Sequence, residues 1–122
     1  MYNRAVFETE KKTSVKGPGL EPGGNRMPHY ITLIRYTQQG AAKIKESPAR
    51  LDAAKKAAEK AGGKVQAWYL TMGKYDAVII SEFPDDEASA KFMLTTGALG
   101  NVTTQTLKAF TEAEYRKIVA AL

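Results

Sequence analysis

The chain has 122 residues, 43% of them hydrophobic and 25% charged, with 18 Lys and Arg against 13 Asp and Glu for a net charge of +5. That length suits one domain with its own core, and the basic excess is spread too thinly for a nucleic-acid footprint. With no Cys and one His, disulfides, thiolate metal sites and Cys nucleophiles are excluded, and a transition-metal centre has too few ligands.

No apolar run approaches the ~20 residues of a membrane span. The opening residues, Met1 to Glu8, lack an apolar core followed by a small-residue cleavage site, so no secretory leader is expected and the cytoplasm is the default. Residues 1–26 read as an extension. They are polar and charged apart from Ala5-Val6-Phe7, and they end in the Gly/Pro-rich stretch Lys16 to Asn25, which breaks any regular element. Disorder is expected there.

From Met27 the pattern becomes regular, and residues 27–122 form the expected domain. His29 to Tyr36 reads as a strand, followed by a polar loop at Gln38-Gln39-Gly40. Ser47 is an N-cap and Pro48 suits the first helical position. The helix that follows sets Leu51, Ala54, Ala58 and Ala61 on one face. Lys55, Lys56 and Lys60 lie opposite as a solvated face, and Gly62-Gly63 stops the helix. Lys64–Met72 and Tyr75–Phe83 read as strands rich in β-branched and aromatic residues. They are joined at Gly73-Lys74 by a two-residue type II′ turn. Pro84 ends the second strand, and Asp85 or Asp86 caps a helix with Ala88, Phe92, Met93 and Leu99 facing inward. Gly97 and Gly100 close that helix. Asn101–Phe110 is a last strand. Thr111 to Glu114 is a capping box, opening a terminal helix with Tyr115, Ile118, Val119 and Leu122 on one stripe.

The order is βαββαβ plus a helix, which predicts an α+β, ferredoxin-like antiparallel sheet of order 4-1-3-2. Strict pairing across the turn places Gln66, Trp68, Leu70, Met72, Tyr75, Ala77, Ile79, Ser81 and Phe83 on one face. Val65, Ala67, Tyr69, Thr71, Asp76, Val78, Ile80 and Glu82 fall on the other. Both faces are mostly apolar, whereas a sheet covered on one side only alternates apolar with polar. The helices cover one face. The simplest cover for the second is another copy of the chain, giving a dimeric α/β barrel; the rival is that the terminal helix or residues 1–26 fold back over it.

Gly73-Lys74-Tyr75-Asp76, the helix start Pro84-Asp85-Asp86-Glu87-Ala88 and Gly97-Ala-Leu-Gly-Asn-Val102 together resemble the GYD-domain family over about Met27 to Leu122. Its name-giving residues map to Gly73, Tyr75 and Asp76. The resemblance implies a ferredoxin-like, dimeric α/β-barrel architecture and no defined reaction.

Antiparallel order gathers the end of the first strand, the hairpin turn and the start of the last strand at one end of the sheet. A ligand pocket is expected there, built from Arg35, Tyr36, Thr71, Gly73, Tyr75, Asp76 and Asn101. Asp76 and Tyr75 are the candidates for proton transfer, and Asp76 is expected to bond Thr71 or pair with Arg35. His29 lies at the far end as a strand-edge residue. No phosphate loop, dinucleotide fingerprint or nucleophile elbow is present. No metal and no cofactor is expected. Three readings follow: a homo-oligomeric small-molecule-binding or regulatory protein, a cofactor-independent oxygenase or isomerase, or a structural assembly module.

Overall fold

Four antiparallel strands and the helices between them are set out in a computed structural model that describes residues 27–122; the expectations for residues 1–26 lie outside the described residues. The elements are β1 (His29–Tyr36), α1 (Gln38–Ala42), a 3-10 turn (Ile44–Glu46), α2 (Ser47–Lys60), β2 (Lys64–Leu70), β3 (Ala77–Glu82), α3 (Asp86–Ala98), β4 (Val102–Ala109) and α4 (Glu112–Ala120). The sheet runs β2-β3-β1-β4, which is the expected order 4-1-3-2 counted from the other edge. The fold is ferredoxin-like α+β.

Local chemistry explains most element ends. Gly62 takes a positive φ of 85°, and Gly63 N–H bonds back to Ala58 O at 2.9 Å, closing α2 through a left-handed C-terminal residue. Asp85 caps α3 by accepting Ala88 N–H at 2.8 Å. The Thr111–Glu114 capping box forms in both directions. The start of α2 differs from expectation. The 3-10 turn runs straight into it, so Ser47 is already helical and caps nothing. The expected polar loop after β1 is the short helix α1, because the Thr37 side chain accepts Gly40 N–H at 3.1 Å and stabilises a first turn.

The core lies between the sheet and α2 and α3. Phe83 is fully buried, with its ring centroid 5.2 Å from that of Phe92 and 6.1 Å from that of Tyr30. Ala58 is buried with them, and Ala54, Ala61, Ala88 and Met93 pack around the group. A second cluster, Ile34, Ala77 and Ile79, takes Trp68 against it. Leu99, expected inward, is exposed at the end of α3, because its backbone already forms the turn toward Gly100.

One irregularity rewrites the expected faces. Leu70↔Ala77 through Ala67↔Ile80 keep the strict register, but Val65 opposes Ser81, leaving Gln66 as a bulge. The extra residue restarts the alternation. Val65 therefore joins the core, and Gln66 turns out to bond Glu82 Oε2 at 2.9 Å. The face away from the core carries half-buried Ile31, Leu33, Val78 and Ile80 with exposed Tyr69 and Leu107. The terminal helix does not bury its stripe: no residue of α4 is buried, and Tyr115, Ile118, Val119 and Leu122 are all exposed. Among the described residues, no helix is long and apolar enough to cross a membrane.

A polar link ties α3 to the sheet. The Tyr30 hydroxyl donates to Asp86 Oδ1 at 2.5 Å, and Lys108 Nζ lies 3.1 Å from the same oxygen. Burial first, then the bond to Asp86, pushes the Tyr30 phenol well above its ordinary range. The Tyr30 bond, then Lys108, holds Asp86 below the usual carboxylate range. A depressed carboxylate lends stability above about pH 4 that is lost as pH falls through its lowered value. A raised phenol lends stability below about pH 10 that is lost as pH climbs past it. Tyr30→Phe should therefore lower Tm most near neutrality, its deficit shrinking toward both extremes. Thermal melts of both proteins across the pH range check this.

Candidate functional site

Alternation along β1 divides the hairpin end of the sheet into two environments. Tyr30, Thr32 and Ile34 are buried toward the helices, whereas Leu33 and Arg35 project from the opposite face. Arg35 and Tyr36 therefore cannot line one pocket, although both lie at the expected end.

On the helix side the residues form a clasp. Tyr36 places its hydroxyl 3.4 Å from Ser47 Oγ. Thr37 N–H donates to Asn101 O at 3.0 Å, and Thr37 Oγ1 donates to Gly100 O at 2.6 Å. Gln39 Nε2 reaches Asn101 Oδ1 at 3.0 Å and Leu99 O at 3.1 Å. Gly40 is buried directly against the Asn101 backbone, where a β-carbon would collide with the Asn101 carbonyl. Asn101 thus joins α1 to the start of β4.

The rung between the two sides is Asp76. Its carboxylate Oδ2 accepts Tyr36 N–H at 2.9 Å. Its own N–H donates to Ile34 O at 2.8 Å, and its carbonyl accepts Thr71 N–H at 2.9 Å. Asp76 so fastens the hairpin to the end of β1, satisfying backbone groups that β1 would otherwise leave unpaired. The expected pair with Arg35 does not form. Arg35 turns instead to the loop, where its Nε donates to Lys74 O at 2.9 Å.

The connection itself is longer than two residues. β2 ends at Leu70 and β3 starts at Ala77, and the loop is closed by Thr71 N–H on Asp76 O rather than by Met72 on Tyr75, so the tight type II′ turn is not completed. Thr71 Oγ1 donates to Tyr75 O at 2.7 Å, across the loop. Gly73 has a φ of 146°, a conformation that L side chains rarely adopt. Off the pleat, Tyr75 escapes the expected alternation. It lies on the face of the sheet that carries no helix among the described residues (the helix-free face below) rather than beside Trp68, and its hydroxyl donates to Gln105 Oε1 at 2.7 Å across β1.

The result is a shallow hollow of about 200 Å³ on that face. Leu33 and Arg35 line it from β1, Lys74 and Tyr75 from the loop, and Thr103 and Gln105 from β4. The Arg35 guanidinium carbon stands 5.6 Å from the Tyr75 ring centroid and Lys74 Nζ 5.8 Å from it. The aromatic face is thus flanked by two cations. Of the residues expected at the pocket, Arg35 and Tyr75 line this hollow. Asp76 and Thr71 brace the loop behind it, Tyr36 and Asn101 belong to the helix-side clasp, and Gly73 is exposed at the tip. Leu33, Lys74 and Gln105 were missed. Leu33 and Gln105 are legible once β1 and β4 are paired, because they stand directly opposite one another. Among the described residues no group of three or more His, Cys, Asp or Glu is placed to hold a metal ion.

The sequence profile of the GYD domain family matches residues 30–119. A Thermus thermophilus protein named glutamine synthetase and cystathionine beta-lyase binding protein is 34% identical over 89 residues, spanning 72% of this chain and 94% of that protein. Among solved structures, Mycobacterium tuberculosis AldR superposes with a TM-score of 0.57 at 14% identity, over 89% of this chain and 66% of its own. This chain thus spans just under two thirds of AldR. The feast or famine regulatory protein of M. tuberculosis, solved with L-methionine, gives a TM-score of 0.56 at 14% identity over 88% of this chain and 67% of its own. At such identities the likeness is one of fold.

Proposed function

The chain belongs to the GYD domain family, and we propose that it is a regulatory binding module that works as a homodimer in the cytoplasm. Two copies pair through their helix-free sheet faces, and the hollow beside Tyr75 receives a small molecule. The observation that carries this reading is the helix-free face. Ile31, Leu33, Val78 and Ile80 stand there in adjacent strands with Leu107 and Tyr69 exposed beside them. Contiguous apolar surface rimmed by polar residues marks an interaction site, and a self-complementary face suits a two-fold pair.

Two further points favour binding over its rivals. The hollow is lined by cations, hydroxyls and an amide, and both proton-transfer candidates are engaged in structural bonds, the Tyr75 hydroxyl with Gln105 Oε1 and the Asp76 carboxylate with Tyr36 N–H, which favours binding. A purely structural face, in turn, gives no account of Arg35 and Lys74 gathered around Tyr75. The name of the Thermus relative, an enzyme-binding protein, supports a module that regulates by association.

Ile80→Glu tests the pairing. Ile80 lies mid-strand on the helix-free face, opposite Ile31 and Ala67, so the substitution leaves the core untouched. Sedimentation over a concentration series should show a wild-type dimer whose dissociation constant rises at least tenfold in the variant, about 1.4 kcal/mol or more. Circular dichroism should show unchanged secondary structure. A wild-type chain that sediments as a monomer throughout overturns the reading.

A further inference from the structure

The hollow's own donors define what it binds. Arg35 commits Nε to Lys74 O, which fixes the guanidinium plane, and its two terminal nitrogens have no protein acceptor among the described residues. Lys74 Nζ makes no ion pair among them either. Gln105 takes the Tyr75 hydroxyl on its carbonyl oxygen, so its amide N–H groups remain to donate. Thr103 adds a hydroxyl. Every strong group around the hollow is thus a donor or a cation, and the nearby carboxylate, Asp76, is held by Tyr36 N–H.

Resting on the dimer reading above, we propose that the hollow is an oxyanion site completed by the second copy. It takes a small organic molecule with a carboxylate or phosphate head, the head on the Arg35 fork and Lys74, and the body between Leu33 and the Tyr75 ring. A planar guanidinium with two free parallel donors matches either head group. The physical driver is desolvation. In the single chain Arg35 and Lys74 are exposed to water and need no counter-ion. When a second sheet face closes over them, two unpaired cations lose hydration, a cost that an anion between the faces removes. Anion binding and pairing are therefore linked, each strengthening the other.

The test uses inorganic phosphate and acetate as probes, each against chloride at constant ionic strength, on the full chain. Amide and side-chain NMR should show saturable shifts at Arg35 Nε–H and the Gln105 side-chain amide. Sedimentation should show the dimer dissociation constant falling at least fivefold at saturating probe. Arg35→Gln should weaken the response tenfold or more, Arg35→Lys should retain part of it, and the remote Lys55→Gln should leave it intact. Saturation by phosphate alone assigns a phosphate head, and by acetate alone a carboxylate. A dimer with no saturable response, or with equal responses in Arg35→Gln and Lys55→Gln, overturns the oxyanion site and leaves the dimer standing. A monomer that saturates equally well overturns the part given to the second copy. A monomer with no response overturns both.

Discussion

Phe83→Ala should cost about 3–5 kcal/mol, the range for emptying a fully buried aromatic site that collapses only in part. Domains of this size are stable by only about 5–15 kcal/mol, so the variant should be half-unfolded under mild stress. Phe83 has no exposed surface and packs between the rings of Tyr30 and Phe92. Gly63 closes the site from the side, where an added β-carbon would come within 2.5 Å of Phe83 Cδ1. The neighbours are therefore held by backbone and cannot move inward cheaply. Urea unfolding should show the midpoint falling sharply with an unchanged slope, since the surface exposed on unfolding is nearly the same. Phe83→Leu should recover most of the loss, which separates cavity formation from loss of aromatic contact.

Gly40→Ala should be nearly as damaging for the opposite reason, overfilling rather than emptying. The new methyl would overlap the Asn101 carbonyl, a backbone atom that also accepts Thr37 N–H. Relief requires α1 to lift from the start of β4, breaking the bonds from Thr37 and Gln39. Overpacking of this kind costs about 3 kcal/mol, at the upper end of its usual range. The damage should be local as well. Hydrogen exchange should speed up first at Thr37 to Ala42 and at Asn101, while the amides of β3 stay protected until global unfolding. Uniform loss of protection across the sheet would show that the clasp is not a separate unit.

Much of the fold was legible because local signals agreed with the global pattern. The 3.6-residue spacing of Leu51, Ala54, Ala58 and Ala61, the Gly62-Gly63 stop and the Thr111–Glu114 box each name one structure, and each formed. The strand order followed from the element order alone. What was not legible depended on competition between strands. Nothing in Val65-Gln66-Ala67 announces a bulge; it arises where β2 must keep Val65 in the core while Gln66 meets Glu82. Likewise the Gly73-Lys74 pair reads as a tight turn, but Asp76 N–H is claimed by Ile34 O on the neighbouring strand. Thr71 closes the loop through Asp76 O and Tyr75 O, and in this wider connection Tyr75 lies on the other face. At the hollow, Arg35 and Tyr75 are legible together because the topology brings their elements to one end of the sheet. Tyr36 stands apart from Arg35, since period-two alternation separates adjacent residues of a strand. The short helix α1 was also within reach, since Thr37 stands three residues before the glycine whose N–H it caps.

The bulge at Gln66 sits on β2, an outermost member of the sheet. A border strand offers a row of unused amides and carbonyls on which a foreign strand can grow, and a bulge there bends and coils the rim so that lateral extension finds no flat template. Polymerisation into ribbons is thereby discouraged along this rim.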